Sequence, residues 1–167
     1  MNTADLHPKR LPIDINVAQL RRLHSALQTL ELSPHDQAAM PADRQLELDR
    51  AGEQVLTHLS MLVADTKDQA DDAPITDSVP LLRAAAKVLL TACERCRAAA
   101  LQQALASSDA TRAAWRAEAQ RFDQIMRQLA AQHGITSPLG AISQSLSPEQ
   151  LAQLGLDSGA LFACHHG

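Results

Sequence analysis

SVPLLRAAAKVLLTACERCRAAALQQALA, residues 78–106, is the stretch on which the fold reading turns. Read at helical spacing, Leu82, Ala85, Ala86, Leu89, Cys93, Cys96 and Ala100 recur three and four apart and line one face. Leu81, Val88, Ala92 and Ala99 form a second stripe beside it. An apolar arc this wide has to be covered on more than one side, which makes this the central helix of a bundle. Ser78 is placed to cap the helix, and Pro80 in the first turn forfeits only an N–H that has no intrahelical partner there. Ser107-Ser108-Asp109 then reads as a stop followed by a new start.

Working outward, residues 109–133 carry Trp115, Phe122 and Leu129 every seven positions, with Ala119, Met126 and His133 as a companion row. This is a coiled-coil type of seam. The short connection before it predicts an antiparallel αα-hairpin, and Gly134 is the expected C-terminal stop. Upstream, Asp14 or Asn16 caps a helix to about residue 31, with a seam of Val17, Leu20, Leu23, Leu27 and Leu30. Pro41 opens a second main helix to about residue 66, anchored by Val55, Leu56, Leu59, Leu62 and Val63. Gly52 inside it marks a bend or a close helix contact. Residues 65–76 are acidic, contain Pro74 and read as an exposed loop.

The fold class expected is therefore all-α: an antiparallel four-helix bundle with an additional short C-terminal helix. Residues 1–12, with Pro8 and Pro12, are expected as a flexible tail, residues 13–134 as the bundle, and residues 135–167 as a segment packing back on it. In that last segment Ser147-Pro148-Glu149-Gln150 is a capping-box start, and Leu146 can staple to Leu151.

Composition narrows the chemistry. Aromatics are only 2% of the 167 residues and Tyr is absent, so Ala and Leu must build the core and base-stacking surfaces are scarce. Twelve Arg against three Lys is a bias of the kind seen in GC-rich bacterial genomes. The net charge of −4 is uneven. Residues 36–77 hold ten acids and three bases, whereas residues 78–134 hold eight bases and four acids. The simplest expectation is attraction between the two segments within the fold. Neither a nucleic acid nor a membrane is an expected partner, since there is no basic-aromatic surface and no apolar run of spanning length. No charged-then-apolar leader precedes the fold, and the cysteine count of three is odd. Both features point to a reducing, cytoplasmic compartment.

Few residues suggest chemistry. Cys93-Glu94-Arg95-Cys96 is a C-x-x-C, but it lies well inside a helix rather than at an N-terminus, where the dipole would activate a thiol. Two small buried hydrophobes is the plainer reading. Together with the terminal Cys164, His165 and His166, the pair would supply thiolate and imidazole ligands suited to tetrahedral zinc. No G-x-S-x-G, Gly-rich phosphate loop, H-E-x-x-H or Glu-x-x-His occurs, and no motif is specific enough to name a family. The function expected is that of a small non-enzymatic helical protein working through protein–protein contacts or self-association, as a regulator, adaptor or secretion-type accessory factor. The alternative is a thiol- or zinc-dependent sensor using Cys93, Cys96 and the Cys164–His166 tail.

Overall fold

The computed structural model describes residues 9–30 and 40–135. The element order is β1 (Lys9–Asn16), α1 (Val17–Gln28), α2 (Ala42–Asp65), β2 (Pro74–Leu81), α3 (Arg83–Leu105) and α4 (Asp109–His133). The fold is thus mixed α/β, which corrects the all-α expectation. The four helices are present, but among the described residues they pack with a two-stranded antiparallel sheet.

The correction falls at two places. Residues 78–81, read as the opening of the central helix, belong to β2, and α3 starts only at Arg83. Residues 9–12, read as tail, belong to β1. The register pairs Leu11 with Val79 and Ile15 with Ile75. Leu11, Ile13 and Ile15 alternate with exposed neighbours along β1, and all three are buried. Period two, not 3.6, governs these residues. Pro12, Pro74 and Pro80 all fall on one parity of the register, paired with Ser78, Asn16 and Arg10. Ladder hydrogen bonds alternate along an antiparallel pair, so prolines confined to the non-exchanging parity cost the sheet no bond.

The ribbon is tied in by helix ends. Asn16 closes β1 and caps α1 in a capping box with Gln19. The N–H groups of Val17 and Ala18 donate to the carbonyls of Ala73 and Asp71, both at 3.0 Å, so the acidic loop folds over the start of α1. Arg21 adds an ion pair to Asp71 at 2.8 Å. The acidic loop thus meets α1, while the rest of the acidic segment, helix α2, packs against α3.

Helices α3 and α4 form the expected antiparallel hairpin, and cations close both of its ends. At the turn, Arg112 donates through Nε to Ala104 O at 3.0 Å and through Nη2 to Ser107 O at 3.2 Å. At the far end, Arg83 Nη1 donates to His133 O, and Lys9 Nζ donates to Gln132 O, each at 2.5 Å. Cations at helix C-termini satisfy orphan carbonyls and complement the dipole. Gly134 ends α4 with φ of 63°, the left-handed conformation that favours glycine.

One core cluster joins both strands to all four helices. Its largest fully buried members include Leu11, Leu20, Leu59, Leu81, Leu90 and Phe122. A smaller cluster of Ala100, Leu101, Ala104 and Ala119, with Trp115 at its edge, packs the turn end of the hairpin. No described helix is long and apolar enough to cross a membrane.

Candidate functional site

Cys93 and Cys96 sit one turn apart on α3, as their spacing requires, and both are free thiols. Cys93 lies wholly within the core. Burial pushes its thiol well above the usual range, with Cys96 and Glu94 adding to the rise. Cys96 is nearly as deep. Burial first and Glu118 second push it up to about 12, with Arg22 pulling slightly the other way. Thiolates are the nucleophiles and metal ligands, so both side chains are held in their inert form near neutral pH. Cys164, His165 and His166 lie outside the described residues. Among the described residues, no group of three His, Cys, Asp or Glu side chains gathers in a way that could hold a metal ion.

Around Cys96 the structure places residues that the sequence pattern did not single out. A cleft of about 380 Å³ lies between α1, α3 and α4, with Arg22, Ala26, Arg95, Cys96, Ala99, Ala100, Trp115 and Glu118 among its lining. Glu118 is buried, with its side chain 8% exposed, while that of Arg22 is 42% exposed. Arg22 Nε donates to Glu118 Oε2 at 2.7 Å, and Nη2 donates to Glu118 Oε1. The pair is therefore bidentate, the geometry in which Arg and carboxylate bind most strongly. The Arg22 guanidinium also lies over the Trp115 ring, 5.2 Å from its centroid. Helical spacing explains the assembly. Trp115 and Glu118 are one turn apart on α4, and Glu118 precedes the seam residue Ala119, so it enters the interior beside the seam. The only hint in the sequence was that single acid against the seam of an Arg-rich helix.

A second depression, of about 350 Å³, separates α2 from the β2–α3 junction. Gln54, Val55 and His58 form one wall, and Val79, Pro80, Leu81, Leu82 and Ala85 form the other. Leu82, at the junction, is 37% exposed, and Met61, one turn on from His58, is 63% exposed. Asp77 stands at the edge of this region, with Oδ2 3.9 Å from His58 Nε2. Among the described residues that nitrogen has no hydrogen-bond partner. The remaining scattered histidine of note, His24, joins α1 to α2 through a 2.8 Å contact between Nε2 and Ser60 Oγ.

Compared with known protein families, curated proteins and solved structures, the chain shows no significant similarity to any of them.

Proposed function

We propose that the protein is a non-enzymatic interaction protein, and that it takes an apolar segment of another protein into the groove between α2 and the β2–α3 junction. The observation that carries this reading is the groove itself. Apolar residues of β2 and α3 line it, Leu82 among them standing partly in water, and the large side chain of Met61 is exposed one turn beyond the lining residue His58 on α2. Groups of this kind release water on association and give a partner helix something to pack on. The ionisable groups of the other cleft support the non-enzymatic half of the reading. Both Glu118 oxygens are engaged by Arg22, which leaves no lone carboxylate poised as a base among the described lining residues. The Cys96 thiol, at about 12, keeps its proton.

The test is capture of the protein from its own cells followed by native mass spectrometry. The wild type is expected to carry a stoichiometric partner or a second copy. Met61→Asp with Leu82→Asp should release it, while Leu46→Asp, at the other end of α2 and 50% exposed, should not. A bare monomer, or an assembly indifferent to the paired substitution, would overturn the reading.

A further inference from the structure

We infer that the cleft between α1, α3 and α4 binds a small amphipathic monocarboxylate, with its acid group on Arg22 and its apolar body against Trp115 and the alanines. This site is separate from the α2 groove, and the inference does not depend on the function proposed above.

Size and lining come first. At about 380 Å³ the cleft falls in the range of small-ligand sites, which are largely apolar with a few fixed polar groups. Ala26, Ala99, Ala100 and Cys96 supply a surface of small side chains, and Trp115 gives a flat wall.

Arg22 supplies the polar anchor. Glu118 engages its Nε and Nη2, and Trp115 lies beneath its plane. The guanidinium is therefore fixed before any ligand arrives, which reduces the ordering cost of binding. Among the described residues its Nη1 makes no hydrogen bond, and it carries two N–H donors. A ligand carboxylate can accept from Nη1 without displacing Glu118, so the buried acid keeps its partner.

Charge selects the sign of the ligand. Among the described lining residues there are two guanidinium groups, Arg22 and Arg95, and one carboxylate, Glu118, which Arg22 already engages. A cation entering the cleft would meet both arginines and find the Glu118 oxygens already engaged. A neutral body would gain the apolar contacts alone.

The experiment uses octanoate as the probe, with octanol and octylammonium as neutral and cationic counterparts. Trp115 is the one tryptophan in the chain, so its emission reports the cleft directly, and calorimetry gives a second readout. Octanoate should bind saturably and about tenfold more tightly than octanol, the ratio that one hydrogen bond to a charged group supplies. Octylammonium should bind most weakly. Glu118→Gln should tighten octanoate several-fold, because it removes the negative charge that faces Arg22 while Arg22 stays charged. The double variant Arg22→Gln with Glu118→Gln should bring octanoate down to the level of octanol, and retained octanol binding reports an intact cleft. Equal binding of octanol and octanoate by the wild type would overturn the inference. So would the absence of a saturable response to octanoate, or weaker octanoate binding by Glu118→Gln alone.

Discussion

Helices α2 and α3 are nearly equal in length, 24 and 23 residues, and are used in opposite ways. Four residues of α2 are buried: Leu48, Ala51, Val55 and Leu59. They form one narrow stripe at intervals of three and four, the pattern of a helix covering a core from outside. Fourteen residues of α3 are buried, including Thr91 and Arg97, and they go all the way round it. The difference is one of composition as well as position. Helix α3 carries Ala at close-packed points, so its neighbours approach closely, whereas α2 intersperses Arg, Glu and Asp through its first half. One helix is the interior of the molecule, and the other is its cover and the wall of a groove.

Substitutions should separate the two roles. The largest effect is expected from Leu90→Ala, since Leu90 has no exposed surface. Loss of its packing and the resulting cavity should cost about 2–5 kcal/mol. Met61→Ala on α2 should change stability by no more than about 0.5 kcal/mol, as is usual for an exposed position. Urea titrations of the two variants decide the matter. Comparable losses would mean that α2 is packed more fully than its burial pattern indicates.

The thiols of α3 sharpen the comparison further. Their pKa values are raised in the folded protein above the ordinary 9.0. Between that value and the folded one, the unfolded chain loses protons that the native protein keeps, so stability falls as pH rises above about 9. The slope approaches about 1.4 kcal/mol per pH unit for each thiol. Lys87 works in the opposite direction, since burial first, then Arg44 and Arg83, lower its pKa. Comparing wild type with Cys93→Ala/Cys96→Ala cancels that contribution. Denaturant titrations from pH 7 to 10.5 should show a steeper alkaline decline in the wild type. Identical slopes would place the thiols in contact with water and restore them as candidates for redox or metal chemistry.

The same contrast shows what was legible in the sequence. The hairpin was, because α4 begins at Asp109 and ends at His133 before Gly134, where the seam and the glycine put its limits. The anchor half of α2 was too, with Val55 and Leu59 in the core. The ribbon was not. Leu11, Ile13 and Ile15 alternate plainly, but Pro12 lies among them, and proline argues against a strand unless its register parity is known. Parity is a property of the pairing and cannot be read from either strand alone. Likewise Leu81 and Leu82 fit a helical stripe because periods of two and 3.6 coincide over so short a run. The cleft was hidden for a related reason. Arg22 and Glu118 are 96 residues apart, and only the packing of α1 against the hairpin brings them together.

The smallest effect expected is at the contact between the two helices. Gly52 lies inside α2, where glycine is unfavourable relative to alanine by roughly 0.5–1 kcal/mol. Such a residue is retained at no loss only where a side chain would collide with a neighbour. A Cβ built at Gly52 would meet Val88 Cγ1 at 3.8 Å, an ordinary van der Waals distance. The position therefore has room for a methyl group. Gly52→Ala should stabilise the protein by about 0.5–1 kcal/mol, from the reduced freedom of the unfolded chain and a small gain in contact with α3. A thermal melt with a denaturant titration at neutral pH is sufficient to measure it. A loss of stability would mean that α2 and α3 approach more closely in solution than 3.8 Å implies, so that the cover helix is packed as tightly here as the central one.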